Sequence, residues 1–238
     1  MANDTAKPGL CYVTAKVRDP SKLSDEKFND FYDNEHLPDM LRYNFSKVAL
    51  RYKNANANGT APYAALYPLE DITSLSSPST AQMMEECRKS KTLDGQDHHE
   101  LIEYGIGAWR TIQTFEGYGH AEKTGHDRGK TLVAVSIEPG DGQAAEADLD
   151  AWYRRQHLDM LAMCKGYRRT TRYKRVGDAS PRFLALHEYV CDAADFPTEQ
   201  IEQVRQTEWS RDVLGKAKAF ERDVWELIGV QGEKALKL

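Results

Sequence analysis

No uninterrupted apolar run in this sequence approaches the roughly 20 residues that a helix needs to cross a bilayer. The opening Met1-Ala2-Asn3-Asp4-Thr5-Ala6-Lys7-Pro8-Gly9 lacks the apolar core of a secretory signal, so a cytoplasmic location is expected. Cysteine is scarce. The four present, Cys11, Cys87, Cys164 and Cys191, are far apart and form no Cys-x-x-Cys pair, which points to reduced thiols rather than a disulfide scaffold. Positive charge is not in excess, and a net charge of -5 argues against a general binder of nucleic acid or anionic membranes. Missing too are a glycine-rich phosphate loop, a Gly-x-Ser-x-Gly elbow and a His-Glu-x-x-His pair. What remains is a chain of 238 residues with an ordinary globular composition. That length suits one large domain or two of about 100–120 residues.

What is present is a repeat. Phe31-Tyr32-Asp33-Asn34-Glu35-His36-Leu37-Pro38-Asp39-Met40-Leu41 returns as Trp152-Tyr153-Arg154-Arg155-Gln156-His157-Leu158-Asp159-Met160-Leu161. Tyr32 aligns with Tyr153, His36 with His157, and Arg51-Tyr52-Lys53 with Arg172-Tyr173-Lys174, all at one offset. A pattern of this length marks duplication.

Each copy reads strand, helix, strand, strand, helix, strand. In the first, Leu10 to Val17 alternates as a strand. Ser24 caps a helix that carries Phe28, Phe31, Tyr32, Glu35 and His36 on one face and bends at Pro38. Val48 to Lys53 and Tyr63 to Leu69 are strands joined by a turn ending Asn58-Gly59. A second helix opens with Ser79 and Gln82 at capping-box spacing, and a strand runs from about Glu103 to Phe115. The second copy has strands Thr131 to Ile137, Arg168 to Val176, Arg182 to Val190 and Val224 to Val230. Its helices are Glu146 to Met163 and a long one from Thr198 to about Phe220. The glycine-rich polar stretch between the copies reads as a linker. The expected fold is therefore α+β: two tandem ferredoxin-like (βαββαβ) half-domains, 9–116 and 130–231, joined by linker 117–129. Such a half leaves one sheet face bare, so the antiparallel sheets are expected to pack face to face as an intrachain pseudo-dimeric α/β barrel. A monomer, or a weak homodimer, follows.

The duplicated aromatic-x-x-x-His element, with Pro38 after His36-Leu37, resembles the EthD-like branch of the dimeric α/β-barrel superfamily as a tandem duplication in one chain. The resemblance covers Leu10 to Thr114 and Thr131 to Val230. It implies small cofactor-free enzymes of aromatic and polyketide metabolism: decarboxylases, aldol-type cyclases, isomerases and monooxygenases of anthrone-like substrates. Stress-induced proteins and tandem haem-containing versions also belong there. The second copy departs from the motif, with Gln156 in place of Glu35 and no proline after His157-Leu158, which puts its competence in question.

His36 is the expected acid/base catalyst, since a buried imidazole stays neutral at physiological pH. Tyr32, one turn earlier, would orient it or donate to an oxyanion. The competing reading makes His36 a structural residue at a bent helix end and Tyr32 a core ring. Glu35 is expected to meet Arg51 or Lys53, as a salt bridge or beside a substrate. Tyr63 and Tyr67 share a strand face with Ala65, as Phe183 and His187 do with Ala185, leaving room for a flat ligand unless core packing fills it. Trp109 and Trp225 line the same volumes or pack the core. Tyr153, His157 and His187 are the second copy's substrate-binding candidates. Lys165, Arg168, Arg169, Arg172, Lys174 and Arg175 form a basic run, half of it expected in solvent. Neither Asp97-His98-His99-Glu100 nor the pair His120 and His126 fixes metal geometry, so no metal and no organic cofactor are expected.

The leading expectation is a lyase, cyclase or isomerase acting on a small aromatic or polyketide-like acid. A non-catalytic ligand-binding or stress-response barrel is the alternative. A haem protein with His157 or His187 as axial ligand, or a cofactor-free monooxygenase, is a third reading.

Overall fold

The computed structural model describes residues 7–59, 61–117 and 128–238. Most of the expected linker, His120 and His126 among it, lies outside the described residues. The first copy contains β1 (Gly9–Val17), α1 (Asp25–Phe31), a π-helical turn (Tyr32–His36), α2 (Leu37–Arg42), β2 (Val48–Asn54) and β3 (Tyr63–Leu69). It continues with α3 (Pro78–Glu86), α4 (His98–Leu101) and β4 (Ile102–Glu116). The second contains β5 (Thr131–Glu138), α5 (Gly142–Trp152), a π-helical turn (Tyr153–His157), α6 (Leu158–Ala162), β6 (Tyr167–Arg175) and β7 (Phe183–Tyr189). It ends with α7 (Thr198–Arg205), α8 (Glu208–Gly215) and β8 (Ala219–Gly232). The strands hydrogen-bond in the order β1-β3-β2-β8-β5-β7-β6-β4 as a closed antiparallel barrel. The α+β class read from the repeat is therefore correct.

The chain divides into two compact units, Met1–Arg110 with Leu227–Leu236 and Leu238, and Thr111–Glu226 with Lys237. In the first, β1 pairs with β3 and β4, and Cys11, Val13 and Ala15 turn one strand face to the helices that carry Phe28, Phe31 and Met40. The face turned away is covered too, since Leu10, Leu50 and Leu66 are fully buried. In the second, β5 pairs with β7 and β8, and Val133, Val135 and Ile137 pack on Leu149, Trp152 and Leu161.

Four local expectations change. The helix expected to bend at Pro38 widens instead into a π turn before it, and Pro38 is the second residue of α2, into which the π turn runs without a break. The same π turn recurs at Tyr153–His157 without a proline, so proline is not its cause. The cap of α3 is Ser77, which accepts from Thr80 N at 3.2 Å, not Ser79. The long helix expected from Thr198 breaks where Thr207 caps α8 by accepting from Ser210 N at 3.1 Å. Helix α5 begins at Gly142, a turn before Glu146.

Candidate functional site: a tyrosine–histidine cluster and a cavity

In the first copy the π turn sets Tyr32 and His36 against each other, ring centroids 5.1 Å apart and edge on. A π turn adds a residue to the helical path and re-aims the side chains around it, a feature common at functional sites. Phe31 (5.3 Å), Tyr67 (6.5 Å) and His98 (5.7 Å) complete the surroundings of the His36 ring. Burial pushes the His36 imidazole down to about 3, helped by His98 and His99, so it is neutral. Burial likewise holds His98 at about 4, with His99 adding to the effect. Its Nδ1 lies 2.8 Å from Tyr104 Oη. The hydroxyls of Tyr32 and Tyr67 are buried with no hydrogen-bond partner of good geometry, although Tyr104 neighbours Tyr32. A buried hydroxyl left unpaired costs about 1–3 kcal/mol.

Several expected contacts of this half are made differently. Glu35 does not meet Arg51 or Lys53. It accepts from Ser90 Oγ (2.7 Å), Lys91 N (2.8 Å) and Thr92 N (2.8 Å), tying the helix to the turn before α4. Burial raises its carboxyl, but these hydrogen bonds outweigh that and hold it below the usual range. Arg51 instead lies under the Tyr32 ring (4.6 Å) and donates to Asp33 and Asn29, both at 2.9 Å. Tyr63 Oη donates to Asp25 and so is a structural tie at the start of α1. Trp109 pairs in register with Leu10, on the opposite strand face from Cys11 and Val13, which turns it away from His36. Trp225, opposite Leu132, is turned away from His157 in the same manner.

The second copy repeats the Tyr–His contact, with Tyr153 and His157 centroids 5.4 Å apart, and Arg172 lies under Tyr153 (4.1 Å) as Arg51 lies under Tyr32. Arg172 donates to Asp150, the counterpart of Asn29, at 2.9 Å. Beside this cluster lies a cavity, with about 40 Å³ open to the centre of a water-sized molecule. His157, His187, Arg205 and Arg222 are the nitrogen-bearing side chains most able to pair there, and Val133, Val135, Ile201 and Leu214 supply much of the apolar wall. His157 stacks on Trp152 at 4.0 Å, and its Nδ1 is buried without a partner. Burial holds His157 well below the usual imidazole range, with His187, Arg172 and Arg205 adding to the effect. His187 is lowered to about 3 by burial, then by Arg222 and Arg172.

The tautomer of His187 depends on its partners. Tyr167 Oη donates to Thr170 Oγ1 at 2.8 Å, and Thr170 Oγ1 lies 2.8 Å from His187 Nδ1. A threonine hydroxyl can donate to Nδ1 or accept from it, and where it donates, the neutral ring carries its proton on Nε2.

Sequence reasoning grouped these residues imperfectly. Of the basic run, Arg168, Arg169 and Arg172 are buried and paired, with Glu116, Glu188 and Asp150 among their partners, whereas Lys165 is exposed and Lys174 and Arg175 are half-buried, a division that does not follow strand alternation. A register shift between Tyr167 and Arg169 helps bury two adjacent arginines. His98 and Tyr104 were overlooked as neighbours of His36; the signal was the Asp97 cap, which accepts from His99 N and starts α4 there. Arg205 and Arg222 were also overlooked, and only the spacing of Ile201 and Arg205 on one helix face hinted at the first.

Among the described residues no group of three or more His, Cys, Asp and Glu is arranged to hold a metal ion. Haem does not fit the cavity, which falls far below the roughly 300 Å³ where ligand pockets begin. No helix among the described residues is long and apolar enough to cross a membrane.

No family model matches the chain. Core atranone cluster (CAC) protein 1 of Stachybotrys chlorohalonatus is 40% identical over 68 residues, a segment spanning 29% of this chain and 29% of that protein's length. An anthrone oxidase-like protein of known structure superposes with a TM-score of 0.63 at 12% identity, covering 99% of this chain and 98% of its own. A candidate monooxygenase from Lactobacillus acidophilus NCFM gives a TM-score of 0.54 at 9% identity, covering 98% of this chain and 99% of its own. The chain therefore has the fold of the dimeric α/β-barrel superfamily, to which these solved structures belong.

Proposed function

We propose that this protein is a cofactor-independent enzyme of secondary metabolism, of the EthD-like branch, that acts by acid/base catalysis on a polyketide-type or aromatic small molecule. Its half-domains would be 9–116 and 130–231, working as a monomeric pseudo-dimer in the cytoplasm. The identity with an atranone-cluster protein and the fold shared with an anthrone oxidase-like protein support the metabolic setting. One observation carries the chemistry: two neutral imidazoles, His157 and His187, stand 6.2 Å apart beside an apolar cavity.

In this reading the substrate carbonyl oxygen accepts a hydrogen bond from His187 Nε2–H, held in that tautomer by Thr170 and Tyr167. The His157 ring takes the proton from the acidified neighbouring carbon, and the enolate keeps the bond to His187. Returning the proton to another atom completes an isomerisation; attack of the enolate on a second carbonyl completes a cyclisation. In a decarboxylation His157 takes the carboxylic proton, the C–C bond breaks to release carbon dioxide and leave the enolate, and the protonated ring gives that proton to the carbon. Tyr153 bounds the base on its edge. His36 with Tyr32 and Tyr67 forms the corresponding group of the first half, where the two unpaired hydroxyls would serve as oxyanion donors.

Turnover of a small β-keto acid by the full chain tests this. His157→Gln and His187→Gln are expected to lower kcat/KM by roughly 10²-fold or more. Loss in His36→Gln and Tyr32→Phe with His157→Gln unaffected moves the reaction to the first half. A second reading, a non-catalytic small-ligand barrel, is favoured by the small cavity; turnover unchanged in all four variants would establish it.

A further inference from the structure

The cavity of the second half is mostly apolar, yet its more solvent-exposed lining includes two cations, Arg205 at the end of α7 and Arg222 in β8. The Arg205 guanidinium lies over Phe220 at 5.8 Å, and its Nη1 reaches only the exposed Glu202, at 3.3 Å. Its Nε is buried with no hydrogen-bond partner. The Arg222 guanidinium lies over Phe196 at 5.7 Å and makes no hydrogen bond or ion pair among the described residues. The two like charges disfavour each other, offset in part by nearby Asp223 and Glu202. Deeper in, His157 keeps an unpaired buried Nδ1 and His187 meets Thr170 at its Nδ1. No carboxylate is among the residues lining this space.

We infer that the cavity takes a small organic anion, a carboxylate or an enolate, with its negative oxygen between Arg205 and Arg222 and its remaining polar atom against His157 and His187. This rests on the cavity being the substrate site. Guanidinium forks match carboxylate geometry, and charge-assisted hydrogen bonds outweigh neutral ones. The apolar wall strips the anion of water, so these bonds are made at low dielectric. Because Arg205 lies near His157 and Arg222 near His187, a bound anion also cancels the positive field that weakens both imidazoles as bases. The substrate would thereby assemble its own base, and an uncharged analogue would not. In volume the cavity admits on the order of three water-sized groups, which suits acetate.

Acetate and its neutral counterpart acetamide are titrated into the full chain while the imidazole resonances of His157 and His187 are followed by NMR. Acetate is expected to shift both rings saturably and to bind at least about tenfold more tightly than acetamide. Arg205→Gln and Arg222→Gln should each weaken acetate by roughly tenfold, and Arg205→Lys should recover part of the loss. Unchanged backbone spectra establish that these half-exposed positions leave the fold intact. Equal shifts by the two ligands, or Gln variants that bind acetate as well as the parent, overturn the inference. Failure of acetate while His157→Gln still abolishes turnover removes the anion and leaves the catalytic site. Acetate binding with His157→Gln fully active upholds the anion site and removes the catalytic reading.

Discussion

A guanidinium taken out of water must be given carboxylates, and Arg169, fully buried, donates to Glu188 at 2.9 Å and to Glu116 at 3.3 Å. Glu188 is itself 1% exposed, so removing its partner strands a charge. Arg169→Leu is expected to cost about 3–5 kcal/mol in urea unfolding, with part of the loss recovered in Arg169→Leu/Glu188→Leu. The histidines make a different wager. His36, His98, His157 and His187 are all held below the ordinary imidazole value of 6.5. A folded-state value below the unfolded one means the unfolded chain binds more protons as pH falls. Stability should therefore be full above about pH 7 and decline between about pH 6.5 and pH 4. Denaturation midpoints across that window measure it, and His187→Gln should reduce the slope by about one proton. A buried, neutral His36 is legible in the linear pattern, but the pairing of the arginines is not. Arg169 and Arg172 looked like members of a solvated run, and only the covering of both sheet faces shows why they are paired.

The decisive local element is the π turn. It occurs at Tyr32–His36 and again at Tyr153–His157, with the backbone N–H of Leu37 and of Leu158 reaching Tyr32 O and Tyr153 O. Helical periodicity predicted that Tyr32 and His36 touch, which they do, but a regular helix would carry Glu35 towards Arg51. The extra residue of the wider turn changes that aim, and Glu35 caps the Ser90–Thr92 backbone instead. Glu35→Ala is expected to lose about 1 kcal/mol in chemical denaturation, because the part-buried Ser90 hydroxyl and Thr92 N–H lose their acceptor. Pro38 lies in the first turn of α2, directly after the π turn, and Pro38→Ala should cost no more than about 1 kcal/mol by the same measurement. A loss of several kcal/mol would show that the proline maintains the π turn.

At the scale of the molecule, each compact unit borrows chain from the far end of a long strand. The first includes Leu227–Leu236, where Glu233 N donates to Lys47 O at 2.8 Å and Gln231 Nε2 to Asp33 O at 2.7 Å. A chain stopped after Glu226 should therefore show faster amide exchange in β2 and around Asp33, read by mass spectrometry, because those groups lose their partners. The duplication, the order of elements and the Tyr–His contact were determined by the sequence alone. They depend on period and spacing, which act over a few residues. Where the space lies was decided by tertiary structure. Both copies carry the same tyrosine, histidine and arginine, but the 40 Å³ cavity described here stands beside His157. There β7 presents His187 where β3 presents Tyr67, and α7 and β8 supply Arg205 and Arg222 from distant positions in the chain. A cavity is the remainder after many side chains have packed, and no stretch of sequence encodes a remainder.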